Sequence, residues 1–164
     1  MAANEEVKAF LGAVMEARFR YRRACRKVEE LEERCEQITT TWSEAPGGGG
    51  DVHKDGPIIA LAQKRSELPT LYAAWERAEE EVDRFLDEIT DNRYRAILKL
   101  RYVDLLRWPK VLEKLKSEAG IYYEERQMFT LHGKALNAAQ ELLDEKKKAR
   151  EAEAEKRLEA ILNG

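Results

Sequence analysis

At the N-terminal end of the chain, one set of positions recurs in alternating steps of four and three. Val7, Leu11, Val14, Arg18, Tyr21, Cys25, Val28, Glu32, Cys35, Thr39 and Trp42 mark this seam, the spacing with which a helix lays a stripe against another helix. It predicts a helix from about residue 4 to residue 41. Arg18, Glu32 and Thr39 are its poor seam residues, while Phe10, Leu31 and Ile38 widen the stripe on one flank. At ~1.5 Å per residue such a helix is roughly 55 Å long and needs a partner helix to cover it. A second seam supplies one: Leu61, Arg65, Leu68, Tyr72, Trp75, Glu79, Val82, Leu86 and Ile89 step in the same way over residues 58–89. Two seams of similar length joined by a loop fold most simply as an antiparallel hairpin. Tyr72 and Trp75 are large enough to anchor it against Tyr21, and Pro69 falls inside the second helix, where a missing N–H predicts a kink.

Between the seams, residues 43–57 read SEAPGGGGDVHKDGP and lose all periodicity, which predicts a flexible loop. Its glycine run lacks the lysine and hydroxyl of a phosphate-binding P-loop, and no strand precedes it. Phe10 and Leu31 on one side, with Leu71 and Phe85 on the other, predict a second apolar edge through which two copies of the hairpin associate.

Residues 93–143 change the pattern to three shorter segments. Thr90 and Asp91 are good N-caps, and Tyr94, Ile97, Leu98 and Arg101 follow at helical spacing. Trp108-Pro109 opens the next helix, since proline suits a first turn, and Val111, Leu112 and Leu115 lie on its buried side. A third helix starts near Tyr123 and runs through Met128, Leu131, Ala135, Leu136 and Ala139, with Glu124 and Glu125 in its first turn complementing the helix dipole. The outline is that of a helix-turn-helix, with a connection across residues 116–123 that is longer than usual. Leu98, Trp108, Leu112, Leu115, Met128 and Leu131 form its expected core.

The residues Leu98, Leu100, Arg101, Tyr102, Trp108, Leu115, Arg126, Gln127, Leu131, His132, Gly133, Ala135 and Leu136 stand in an order that resembles the last DNA-binding region of bacterial sigma factors. The set is more similar still to phage late-transcription regulators of the ArpU/RinA type. That resemblance implies an all-α protein in the cytoplasm of a bacterial host, a long antiparallel, coiled-coil-like helical hairpin followed by a three-helix helix-turn-helix domain and a charged C-terminal helix. The corresponding divisions are residues 1–90, 91–143 and 144–164. It implies a sequence-specific regulator that binds double-stranded DNA and touches RNA polymerase. The helix starting near Tyr123 would enter the major groove, with Arg126, Gln127 and Thr130 reading bases and Arg101, Arg107, Lys110 and Lys134 holding phosphates. The alternatives are a coiled-coil assembly protein that never touches DNA, and a DNA-packaging protein similar to a small terminase subunit.

Charge sharpens this division. The chain carries a net −3, yet residues 93–140 hold ten basic side chains and five acidic ones, a local +5 against −8 for the remainder. Such asymmetry points to nucleic acid as the partner of the basic part. A second basic cluster, Arg18, Arg20, Arg22, Arg23, Arg26 and Lys27, is followed at once by Glu29, Glu30, Glu32, Glu33 and Glu36. Pairs such as Arg26 with Glu30 make it an ion-laced exposed face. Cys25 and Cys35 sit ten residues apart on one helix, roughly 15 Å at helical rise, so they are free thiols. No cysteine or histidine has metal-ligand spacing, no apolar run spans a membrane, and no nucleophile–base set suggests an enzyme or a cofactor. His53 lies in the loop, and His132 reads as a core-facing imidazole beside Gly133, whose small size would admit a neighbouring helix.

Overall fold

The structure, a computed structural model, describes residues 4–44 and 56–164, the side chains of 39–44 excepted. The expected loop at 43–57 with its glycine run and His53, and the seam positions Thr39 and Trp42, lie outside the residues and side chains described. Among the described residues every regular element is a helix: α1 (Glu5–Glu44), α2 (Gly56–Asp87), α3 (Asn92–Leu98), α4 (Trp108–Ala119) and α5 (Glu125–Leu162). A π-helical turn, Lys99–Val103, continues α3. The all-α expectation therefore holds.

The chain forms two compact units, Met15–Ala78 and Met1–Val14 with Glu79–Gly164, so α1 and α2 each run from one unit into the other. This differs from the division at residues 90 and 143 expected from the sequence. The physical reason lies in α5, whose stripe of Leu131, Ala135, Leu136 and Ala139 is buried. Helix α3, seven residues long, packs on α5. The first turns of α1 join α5 as well, and Val7, Leu11 and Val14 are buried in this unit together with Val82, Leu86, Ile97, Leu98, Val111, Leu115 and Met128. Phe10 packs edge-on against Phe85 at 4.9 Å between ring centres.

Polar groups fasten the same contact. The Gln140 side-chain oxygen accepts the Val7 N–H at 3.1 Å, satisfying one of the donors that a helix start leaves open, and Asn4 donates to Asn137 at 2.7 Å. Glu6 pairs with Lys147, Glu88 with Lys146, and Lys99 reaches both Asp83 and Asp87.

In the unit Met15–Ala78, α1 and α2 pack antiparallel around Val28, Leu31 and Leu61, with Cys35, Ala60 and Leu68 against them. Tyr21 meets Tyr72 at 5.4 Å and Trp75 at 5.8 Å, as the aromatic spacing predicts. The poor seam residues find their own solutions. Glu32 pairs with Arg65 across the two helices at 2.5 Å, and the Arg18 guanidinium lies over the Trp75 ring at 5.8 Å. Helix α2 runs on through Pro69. Cys25 and Cys35 are half-buried and not bridged by a disulfide.

Three expectations need correction. The apolar edge meant for self-association is not available: Phe85 and Leu31 are buried at 5% and 4% exposure, each inside its own unit's core. Glu30 pairs with Lys27 rather than Arg26. A Cβ added at Gly133 would meet nothing within 4 Å, so that glycine admits no neighbouring helix.

Candidate nucleic-acid interface

The segment after α2 is held by local chemistry. Asp91 caps α3, its carboxylate accepting the Arg93 N–H at 2.9 Å. Beyond α3 the π-helical turn ends in a tight loop in which Leu105 takes a left-handed φ of 56°, a conformation that costs a non-glycine residue energy. Arg101 secures this loop. Its guanidinium donates to the Leu106 carbonyl at 2.8 Å and stacks over Trp108 at 4.8 Å. Trp108 in turn packs edge-on against Phe129 and His132 of α5. His132 shares a 3.1 Å hydrogen bond with the Tyr102 hydroxyl, and burial together with the neighbouring Arg101 charge lowers its pKa to about 4. The ring is therefore neutral and structural, as its position in the sequence suggested. Trp108 and Leu112 are half-buried, whereas Leu98, Leu115, Met128 and Leu131 lie in the core.

Helix α4 extends to Ala119, four residues past Leu115, and so absorbs half of the long connection expected at 116–123. Gly120 ends it at a left-handed φ of 63°, and the N–H groups of Gly120 and Ile121 both reach the Leu115 carbonyl. Residues 120–124 then lead into α5, which is capped by Glu124 and starts at Glu125, two residues after the expected Tyr123.

The three side chains expected to read bases are all exposed at the start of α5. Their engagement differs. The Gln127 side-chain oxygen accepts the Glu124 N–H at 3.0 Å, the return bond of a capping box. Thr130 donates to the Arg126 carbonyl at 3.1 Å. Among the described residues the Arg126 guanidinium has no hydrogen-bond or ion-pair partner. Of the expected phosphate contacts, Arg107 is exposed just before α4, Lys110 pairs with Glu113 at 3.0 Å, and Arg101 is turned inward as described above.

Arg126, Gln127, Thr130 and Lys134 come together in one recess of about 300 Å³ beside α3, completed by Arg93, Tyr94, Tyr123 and Leu131. Three cations and no carboxylate line it. The Arg93 guanidinium is fixed by Asp91 through Nε and one Nη at 3.4 and 3.2 Å, and it lies 5.9 Å from the centre of the Tyr94 ring. Asp91 and Tyr123 hold its pKa above the usual guanidinium range. Arg93, Tyr94 and Tyr123 were not singled out as site residues from the sequence. The available signal was Arg93 two residues after the helix cap Asp91, which places it at a fixed spot.

Among the described residues no group of three histidine, cysteine or acidic side chains is placed to hold a metal, and no helix is long and apolar enough to cross a membrane. No curated protein and no solved structure matches the chain. A family model described as a protein of unknown function (DUF1492) matches residues 38–133. The matched stretch takes in α2 to α4 and the start of α5, including every residue of the recess except Lys134, and at more than half of the chain it shows that the protein belongs to that family.

Proposed function

We propose that the protein is a sequence-specific DNA-binding transcription regulator, in which α4, the turn at 120–124 and α5 act as a sigma-like helix-turn-helix. The observation that carries this reading is the start of α5, where Arg126, Gln127 and Thr130 stand exposed beside Arg93 and Lys134. A helix N-terminus presented with basic and amide side chains suits entry into a major groove, and arginine and glutamine are the side chains that bridge guanine and adenine edges. Arg107, Lys110 and Lys134 supply phosphate contacts; Arg101 works at one remove, by holding the loop that seats Trp108 against α5. The local charge of +5 draws the segment to DNA, and the sequence resemblance extends the reading to control of late phage genes. The reading is of a binding protein and not of a catalyst.

Fluorescence anisotropy with labelled duplexes from the protein's own genome tests this. Affinity should fall by about 10³-fold or more between 50 and 200 mM salt if six or more phosphates are engaged. Absence of binding to every fragment at low salt would overturn it. A rival reading as an assembly adaptor draws on the unit Met15–Ala78. There Met15 and Phe19 are 62% and 56% exposed, and Phe19 lines a groove of about 650 Å³ with Arg23, Lys27 and Leu71. That reading predicts protein binding with no DNA affinity.

A further inference from the structure

We infer that the recess between α3 and α5 is a phosphate clamp formed by Arg93, Arg126 and Lys134, with Tyr94 and Tyr123 as its walls. The argument begins with the charge around it. On α4, Lys110 pairs with Glu113 and Lys114 with Glu118, and Lys99 is held by two aspartates. Arg126 and Lys134 have no such partner among the described residues, and no acid lines the recess they enter. Like charges gathered around a concavity repel one another, and walls of low polarizability focus their field on whatever occupies it. Such an arrangement lowers its energy when an anion enters.

Arg93 adds geometry to charge. Asp91 takes one edge of its guanidinium, Tyr123 pairs with it as well, and the Tyr94 ring lies beside it. A solubilising arginine on an open surface has no need to be pinned. A pinned one loses little freedom on binding, and the guanidinium fork matches a phosphate. The recess, at about 300 Å³, is wide enough for a phosphate group with part of the molecule that carries it.

The same chemistry has two sources, the duplex backbone and a free phosphate compound. Assigning it to the duplex rests on the DNA-binding reading above; affinity for phosphate itself does not. With the duplex as source, Arg126 moves from a base to the backbone. Gln127, already bound to the Glu124 N–H, then keeps its cap and uses only its amide NH₂ outward.

The test uses the full chain and three single variants, Arg93→Ala, Arg126→Ala and Lys134→Ala, with helicity and melting temperature checked by circular dichroism. Lys134→Ala removes no internal bond, which keeps the test valid even if Arg93→Ala loosens the α3 cap. Inorganic pyrophosphate titrated at low ionic strength, followed by amide NMR shifts, should bind saturably and perturb residues 93–94, 123–127 and 130–134. Each folded variant should weaken that binding severalfold. On duplexes each should weaken binding about tenfold, equally for preferred and scrambled sequences, and lower the salt slope by about one. Pyrophosphate binding lost in the variants, without any duplex binding, upholds the clamp while removing the DNA reading. Arg126→Ala relaxing preference at one base pair with an unchanged salt slope overturns the clamp in favour of base reading. Unchanged pyrophosphate affinity in Lys134→Ala and Arg126→Ala overturns it as well.

Discussion

His132 shows how little of a residue's role is contained in its type. A histidine in a basic, DNA-binding-like segment invites a functional role, yet this ring hydrogen-bonds Tyr102 and packs on Trp108. Its lowered pKa makes a prediction with a definite sign. Because the fold favours the neutral ring, its contribution is fully present above the unfolded value of about 6.5 and is lost as pH falls through that window to about 4. The ring is partly open to solvent, so the loss is roughly 1–2 kcal/mol, less than the whole shift implies. Urea unfolding at neutral and mildly acidic pH should show that loss in the natural protein and a flatter profile in His132→Gln. Equal pH dependence in both would exclude His132 as the titrating group. Arg101 teaches the same lesson from the other side. The resemblance assigned it to a phosphate, but one of its Nη groups is bonded to the Leu106 carbonyl and its plane lies over Trp108.

Two glycines separate what an element needs from what it tolerates. Gly120 ends α4 with a φ of 63°, so Gly120→Ala forces a Cβ into the left-handed region at a cost of about 1–2 kcal/mol. Gly133 sits inside α5, where a Cβ would meet nothing within 4 Å. Gly133→Ala should therefore stabilise the protein by roughly 0.5–1 kcal/mol by restricting the unfolded chain and favouring the helix. Thermal melts of the two variants should move in opposite directions. A destabilising Gly133→Ala would mean that something approaches this position closely after all. The helices themselves were legible for ordinary reasons: apolar spacing, Asp91 as a cap, Pro109 in a first turn and glycine at a helix end. Their ends were less so. Helix α4 runs on through KSEA because nothing in those residues stops it before Gly120.

For the molecule as a whole, the decisive contact joins residues 133 positions apart, Asn4 with Asn137 and Val7 with Gln140. It makes the first turns of α1 part of the unit that carries the candidate interface. Leu11 is fully buried there, and Leu11→Ala should cost about 2–5 kcal/mol by leaving a cavity. Weaker duplex binding should accompany that loss at temperatures where the variant begins to unfold. Denaturant unfolding followed by circular dichroism measures the first effect, and anisotropy the second. A fragment of residues 91–164 that melts as cooperatively as the full chain would contradict this dependence and restore the division expected from the sequence.

The sequence by itself determined that the chain is helical, where most helices lie, and which side chains avoid water, because periodicity and capping are properties of neighbours in the chain. It also located the exposed start of α5, since Arg126, Gln127 and Thr130 fall off the apolar stripe of Met128, Leu131 and Ala135. Only the tertiary structure decided what covers each stripe: α1 over α5, Phe10 on Phe85, Arg65 against Glu32. It also brought Arg93 to the side of Arg126 and Lys134, and turned Arg101 away from them. Periodicity states that a residue is buried and leaves its partner open. The partner is set by which helix is long enough, near enough and polar at the right places to close the surface.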